Sequence, residues 1–139
     1  MRSRPVGARM VSYVAGGCLV AIFLAIAFFL PEDIRSTVTP SQTGTLVLVL
    51  LAALAVLNGI ARSSVHTEAD GIHVRNGYRT RVVGWDEVEG VSYRTGAPWA
   101  TLARRDGDTH MLIAIQGTDG ERAAQAVRDL RAEIAAHQA

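Results

Sequence analysis

The stretch Thr67–Gly77, TEADGIHVRNG, decides the fold of the C-terminal half of this chain. It carries two turn dipeptides, Asp70-Gly71 and Asn76-Gly77, and apolar and polar residues alternate between them. Asp-Gly and Asn-Gly are favoured in short hairpin turns, and strict alternation is typical of a half-buried strand. The stretch therefore predicts two consecutive β-hairpins that share their middle strand.

The same pattern extends toward the C-terminus. A third turn dipeptide, Asp106-Gly107, separates two further apolar runs, and a Trp-Asp-Glu bend precedes another. Short strands at this spacing predict a small antiparallel β-structure. The predicted strands are Ser64–Glu68, Gly71–Asn76, Tyr78–Gly84, Val88–Arg94, Trp99–Arg105 and Thr109–Ile115.

The last segment changes from a strand to a helix pattern. Thr118 and Glu121 have the spacing of a capping box, which predicts Thr118 as the helix N-cap. Apolar residues then recur at steps of three and four, so we expect a helix of about 16 residues that covers the sheet. Trp85 is interpreted as a packing residue, with a lipid or peptide contact as the alternative. The residues expected to pack the barrel are Trp85, Trp99, Val127, Leu130 and Ile134.

The N-terminal half contains two long runs without charge, Met10–Leu30 and Gly44–Ala61. A helix of 21 residues is about 31 Å long, close to the thickness of a bilayer core. Both runs therefore predict membrane spans. The alternatives are a cleaved signal peptide for the first run and a buried soluble helix for the second.

Charges beside the two runs predict the membrane topology. Arg2, Arg4 and Arg9 precede the first run, residues 31–43 between the runs carry a net charge of −1, and Arg62 follows the second run. Arginine is enriched on the cytoplasmic side, so we expect a multi-pass protein of the plasma (inner) membrane with both termini cytoplasmic. The predicted segments are a basic N-terminus (1–9), transmembrane helix 1 (10–30), an extracytoplasmic loop (31–43), transmembrane helix 2 (44–61) and a cytoplasmic domain (62–139).

Small residues recur at four-residue spacing in the first span. Gly17, Ala21 and Ala25 would share one helix face, and such a face lets two helices approach closely. The spacing predicts helix–helix packing through these three residues. The alternative is a chance pattern, because alanine is frequent in this span.

Four motifs carry a resemblance to a known family: TEADGIHVRNG (67–77), VVGWDEV (82–88), RRDG (104–107) and TDGERA (118–123). They resemble the bacterial PH-like domain of small actinobacterial membrane proteins, the family named for low-molecular-weight protein antigen 6. The resemblance covers about residues 60–135 and implies a PH-like domain placed after two membrane spans. The fold class expected is a two-helix transmembrane hairpin followed by an α+β PH-like domain. This domain would be a small antiparallel β-barrel or sandwich of about six to seven strands, capped by a C-terminal amphipathic helix.

Composition and motifs argue against several classes of function. The net charge of +1 gives no reason to expect nucleic acid, and the single Cys18 excludes a disulfide scaffold. The sequence has no G-x-S-x-G motif, P-loop or dinucleotide fingerprint, so we expect no catalytic residues and no cofactor. No metal site is predicted either, because the histidines show no metal-binding spacing. These histidines are His66, His73, His110 and His137.

The remaining prediction is a non-catalytic interaction module anchored in the lipid bilayer. Its PH-like domain would dock another membrane or membrane-associated protein at the inner face of the membrane. The alternative is binding of an anionic phospholipid headgroup by Arg75, Arg79 and Arg81, which flank the Asn76-Gly77 turn. The other interpretation is that these three arginines form an ordinary solvent-exposed face of the domain and bind no ligand.

Overall fold

The computed structural model describes residues 1–4 and 6–139. Its N-terminal half is a helical hairpin of α1 (Val6–Phe29) and α3 (Pro40–Ala61), joined through the short α2 (Glu32–Arg35). The two long helices pack against each other, and both are long and apolar enough to cross a membrane. Most of their apolar side chains are exposed, unlike those of a soluble core helix.

Both helices begin earlier than the uncharged runs. At α3, Thr39 caps the helix by accepting a hydrogen bond from the backbone N–H of Gln42, and the Gln42 side chain accepts one from the Thr39 N–H. Pro40 occupies the first helical position, where its missing N–H is not needed. The backbone caps, and not the first apolar residue, therefore set the start of the helix.

The strands and the last helix are β1 Arg2–Ser3, β2 Ser64–Glu68, β3 Gly71–Asn76, β4 Arg79–Gly84, β5 Val88–Ser92, β6 Trp99–Arg104, β7 Thr109–Gln116 and α4 Glu121–Gln138. The strands form two antiparallel sheets, with strand orders β1-β2-β3-β4 and β5-β6-β7. The predicted PH-like arrangement of strands and final helix is confirmed, but the two sheets do not close into a barrel.

Strand β1 lies outside the predicted domain. It pairs with β2, so that Arg2 lies opposite His66 and Ser3 opposite Val65. The helical hairpin brings the segment before α1 back to the point where α3 ends. The N-terminal segment therefore adds a strand to the edge of the sheet, which the sequence pattern of a two-residue strand does not indicate.

The β3–β4 turn is centred one residue later than predicted. Asn76 still belongs to β3 and pairs with Arg79, so Gly77 and Tyr78 form the turn. Gly77 has φ of 65°, the left-handed region that glycine adopts without strain. Asn76 instead uses its side chain to bridge the two sheets, since its Oδ1 accepts a hydrogen bond from the Ile113 N–H (3.2 Å).

The core lies between the two sheets and α4. Val127, Leu130 and Ile134 of α4 are buried there, while Trp85 is half-buried and packs at the edge of the core. Trp99 does not pack inside, because it is the first residue of β6 and 36% of it is exposed. The buried strand residues include Val65, Ile72, Val83, Val88, Leu102, Leu112 and Ile115.

The predicted cap of the last helix is wrong. Thr118 lies in a 3-10 turn, Gly117–Asp119, and α4 begins only at Glu121. Gly120 separates the two with φ of 55° and ψ of −121°, a backbone conformation that a residue inside a helix cannot have. Thr118 is therefore too far from the first turn of α4 to cap it.

The predicted helix–helix packing stripe is also wrong. An added Cβ at Gly17 would meet nothing within 4 Å, and Ala21 and Ala25 are exposed. Gly16 is the buried glycine, and an added Cβ there would lie 3.3 Å from Leu54 of α3. One residue turns a helix face by about 100°, so the packed face is offset from the predicted one.

Candidate functional site

The three predicted arginines do not converge. Arg81 lies opposite Val74 in the sheet, and with Arg79 it lines a cavity of about 410 Å³ that also contains Asp108. Arg75 pairs with Thr80 and lines a separate cavity of about 200 Å³. Neighbouring positions along a strand point to opposite faces, which separates Arg75 from the other two. The prediction that Arg75, Arg79 and Arg81 form one patch is therefore wrong.

Arg75 instead belongs to a larger arginine cluster. Its cavity, which we call the junction cavity, lies where the N-terminal segment, the start of α1, the end of α3 and the start of β2 meet. Five arginines line it from three separate parts of the chain. The lining residues are Arg2, Arg4, Arg9, Tyr13, Ala61, Arg62, Ser63, Ser64 and Arg75.

Within the part of the chain that the structure describes, these five arginines form no ion pair with a carboxylate. In residues 1–4 and 6–139, every ion pair of an arginine with an acid involves Arg35, Arg104 or Arg128. The guanidinium groups of Arg9 and Arg62 each lie 5.9 Å from an aromatic ring centroid, those of Tyr13 and Tyr78. The junction cavity therefore concentrates positive charge.

The β3–β4 turn holds one wall of the cavity against α3. The Tyr78 hydroxyl donates a hydrogen bond to the Ala55 carbonyl (2.8 Å) and accepts one from the Asn58 side chain (2.9 Å). The backbone N–H of Gly77 donates to Ser63 Oγ (3.0 Å). The Tyr78 ring packs so closely that an added Cβ at Gly59 would lie 3.0 Å from it. These contacts fix Arg75 relative to Arg62.

The N-terminal segment is fixed by contacts on both sides of Arg2 and Arg4. The Met1 ammonium group lies 2.7 Å from Thr67 Oγ1 and 3.0 Å from Glu133 Oε1. The Thr67 hydroxyl and this ammonium group lower the pKa of Glu133, against a smaller effect of burial. On the other side, the Gly7 N–H donates to Asp119 Oδ1 (2.8 Å).

The chemistry of the junction cavity is that of anion binding. Guanidinium groups donate hydrogen bonds in a planar fork that matches phosphate and carboxylate oxygens. The described residues that line the cavity are arginine, tyrosine, serine and alanine. The arrangement is therefore suited to holding an anion.

An apolar surface lies next to the same end of α3. Trp99 lines a cavity of about 540 Å³ together with Ile60, Pro98 and Ile113. Ile60 belongs to the last turn of α3, two residues before Arg62. The exposed Trp99 and the junction cavity are therefore both adjacent to the end of this helix.

Trp85 lies in a different environment. Its Nε1 donates a hydrogen bond to the Glu68 carbonyl (3.1 Å), and its ring stacks on His137 with centroids 3.8 Å apart. These contacts join the β2–β3 turn to the end of α4. They agree with a packing role for Trp85.

Four of the five cavity arginines are not among the site residues predicted from the sequence. Arg2, Arg4, Arg9 and Arg62 flank the apolar runs and indicate only the membrane topology. Their convergence depends on β1 joining the sheet and on the helical hairpin bringing its two ends together. The sequence signal that could have indicated this convergence is the excess of arginines over acidic residues beside the two apolar runs.

Comparison with known proteins agrees with this architecture. A family model described as a bacterial PH domain matches residues 62–133. Uncharacterized proteins of Mycobacterium tuberculosis and Mycobacterium bovis are 34% identical over 125 residues, which cover 90% of this chain and 75% of theirs. No solved structure gives a significant match. Strand order, the final helix and these similarities together show that the chain belongs to the bacterial PH domain family, in a group with actinobacterial members.

Proposed function

We propose that this protein is a non-catalytic, membrane-anchored module whose junction cavity binds the headgroup phosphate of an anionic phospholipid. In this proposal α1 and α3 cross the cell membrane and both termini are cytoplasmic. The observation that carries it is the convergence of five arginines, none paired with a carboxylate within the described residues, at the end of α3. This is the lipid alternative of the sequence analysis, moved to a different set of arginines.

The position of the cavity along α3 favours a lipid over a soluble anion. If α3 spans the bilayer, Arg62 directly after its last residue lies at the depth of the headgroups. Tyr78 and Trp99 lie at the same end of the helix, and both residue types are enriched at membrane interfaces. The arginines and these aromatic residues would then meet one leaflet together.

The charges also give a preference for anionic over zwitterionic lipid. A basic residue near an anionic membrane surface contributes about 1 kcal/mol of attraction. Five such residues around one cavity would contribute several times that amount, and bidentate hydrogen bonds add geometric selectivity. A phosphatidylcholine headgroup carries its own cation, which the arginines would repel.

Lipid adducts of the full chain in detergent can test the proposal by native mass spectrometry. We expect phosphatidylglycerol to be retained at least tenfold better than phosphatidylcholine. The variant Arg2→Gln/Arg4→Gln/Arg75→Gln should lose this preference, while Arg9 and Arg62 are kept to preserve membrane insertion. The matched control Arg79→Gln/Arg81→Gln/Arg94→Gln removes the same charge elsewhere and should retain the preference. If both variants lose the preference for phosphatidylglycerol equally, the attraction is a general effect of charge. If neither variant loses it, the junction cavity is not the lipid-binding site.

A second candidate function is protein docking at the β4 edge. Among the described residues β4 is an edge strand that pairs with β3, and its residues 79–82 are all exposed. In contrast, the side chains of Arg131 and Gln138 donate hydrogen bonds to carbonyls of the edge strand β5. An extended segment of a partner could add to β4 as a further strand.

Cross-linking in the native membrane tests this docking surface. A partner captured by the full chain should be lost from Arg79→Glu/Arg81→Glu, because both arginines lie on the open edge. The control Arg94→Glu should keep it. Capture that is unchanged in the double variant would exclude β4 as the docking edge.

A further inference from the structure

Two histidines that do not line the junction cavity face each other across the β2–β3 hairpin. The strand register places His66 directly opposite His73. Their rings are stacked, with centroids 5.0 Å apart and an angle of 25° between the planes. Opposite residues in antiparallel strands share one face of the sheet, so both imidazoles project to the same side.

Two carboxylates complete this cluster. Glu68 lies two residues after His66 on the same strand, and its Oε1 is 3.1 Å from His66 Nε2. The other carboxylate oxygen, Oε2, is 3.7 Å from His73 Nε2. Asp70 Oδ1 lies 2.8 Å from the same His73 nitrogen. Two imidazole nitrogens and the Glu68 carboxylate therefore lie close together at the end of the hairpin, and Asp70 contacts the His73 side of this group.

We propose that His66, Glu68 and His73 form a binding site for a divalent transition metal ion of the zinc type, with Asp70 as the fourth ligand. One donor atom from each of the first three residues already lies within 4.8 Å of the others. Zinc bound at about 2.1 Å in a tetrahedron needs donor atoms about 3.4 Å apart. Glu68 is more than half exposed, so its side chain is free to close the remaining distance.

The orientation of His66 favours coordination through Nε2. Its Nδ1 is buried and has no hydrogen-bond partner in the part of the chain that the structure describes. Only the Nε2 side of the ring faces the cluster. The backbone at Glu68 is held in place because its carbonyl accepts a hydrogen bond from Trp85 Nε1. The hairpin therefore brings His66, Glu68 and His73 together, and the exposed Asp70 side chain must rotate to supply the fourth ligand.

The two carboxylates offset the positive charge that lies beside this cluster. Arg2 lies opposite His66 on β1 and also lines the junction cavity. Two carboxylates with two neutral imidazoles balance the charge of a divalent ion. Imidazole with carboxylate is a ligand set that suits zinc and similar metals, whereas magnesium and calcium prefer oxygen ligands alone.

Metal titration of the full chain in detergent, after treatment with a chelator, tests the site. Isothermal titration with Zn²⁺ and visible absorption with Co²⁺ should show one ion per chain. The variants His66→Gln and His73→Gln should each weaken binding at least tenfold. His110→Gln is the matched control, because His110 lies in β7 beside the other cavity, and it should bind as the unchanged protein does.

A stability readout separates loss of the site from loss of the fold. Zn²⁺ should raise the melting temperature of the unchanged protein and of His110→Gln, because a ligand that binds only the folded state stabilises it. It should not raise that of His66→Gln. Should a histidine variant fail to fold, Glu68→Gln provides a second test at an exposed position. Binding that persists unchanged in His66→Gln and Glu68→Gln, or that is absent from the unchanged protein, would overturn the proposal.

Discussion

At the residue scale, single side chains supply contacts that the regular hydrogen bonds of the sheets do not. Asn76 is the clearest example. Its Oδ1 accepts from the Ile113 N–H and its Nδ2 donates to the Met111 carbonyl, so one side chain serves two backbone groups of β7. The Asn76 amide therefore connects the two sheets through hydrogen bonds of the kind that a neighbouring strand would otherwise supply.

Replacing Asn76 tests this role. Asn76→Ala leaves a donor and an acceptor of β7 without their partner, and we expect a loss of about 1–3 kcal/mol in the free energy of unfolding. Asn76→Asp should also lose stability, because its carboxylate still accepts from the Ile113 N–H but places an acceptor against the Met111 carbonyl oxygen. Thermal unfolding of the full chain in detergent measures both. Equal stability of Asn76→Ala and the unchanged protein would contradict the bridging role.

Gly71 tests the close approach of two strands. It has φ of 152°, and an added Cβ would lie 2.2 Å from the Val83 carbonyl oxygen. Gly71→Ala should therefore displace β4 and lower the melting temperature by many degrees or prevent folding. Gly90→Ala is the control, since nothing lies within 4 Å of its added Cβ. A Gly71→Ala protein as stable as Gly90→Ala would show that the turn has room for a side chain.

At the scale of elements, some features of this fold could be predicted and others could not. Strands β2 to β7 were predictable because alternation and turn glycines are local signals. β1 was not, because two residues form it only through pairing with β2. Thr118 matched a capping motif, but the backbone at Gly120 breaks the helix after it. Local pattern thus predicts elements, while their ends depend on tertiary contacts.

The candidate site shows the same limit more strongly. Arg75, Arg79 and Arg81 are close in sequence but line two different cavities. His66 and His73 are seven residues apart, which matches no metal-binding motif, and they meet because of the hairpin register. Converging side chains from separate elements cannot be read from spacing along one element.

The attachment of the N-terminal segment gives a prediction for pH. The pKa of Glu133 is lowered in the folded protein, mainly by the Thr67 hydroxyl and the Met1 ammonium group. A carboxylate with a lowered pKa stabilises the fold above its unfolded pKa, near 4.3, and loses this contribution as pH falls through the folded pKa. Glu133→Gln should therefore be less stable by about 1–2 kcal/mol at pH 7.

Unfolding measured from pH 7 down to pH 3 checks this expectation. The stability difference between the unchanged protein and Glu133→Gln should shrink toward zero as the carboxylate becomes protonated. Glu121→Gln is a suitable control, because Glu121 is exposed and pairs with Arg128 at the protein surface. A difference that does not change with pH would contradict the ionic contact.

At the scale of the whole molecule, the PH-like domain is attached to the helical hairpin at several points and not only through the peptide bond after Ala61. Tyr78 connects the β3–β4 turn with α3, and Asp119 connects the turn before α4 with α1. These contacts surround the junction cavity. The cavity is therefore a property of the complete chain and would not exist in an isolated domain.

Removal of the Tyr78 ring tests this attachment. Tyr78→Ala deletes two hydrogen bonds and the packing on Gly59, so the domain should move relative to α3. Hydrogen exchange should become faster at Gly77 and Ser63, while the buried strands β6 and β7 keep their protection. Tyr78→Phe keeps the ring and should show a smaller effect. Unchanged exchange in Tyr78→Ala would mean that other contacts hold the domain.

The most direct test of the central claim is to map where an anionic lipid headgroup contacts the protein in a bilayer. A phosphatidylglycerol with a photoreactive headgroup can be cross-linked to the full chain, and the modified residues can be identified by mass spectrometry. The account predicts modification concentrated at the residues that line the junction cavity, which are Arg2, Arg4, Arg9, Tyr13, residues 61–64 and Arg75. Modification concentrated on β4, or spread evenly over exposed cationic residues, would contradict it.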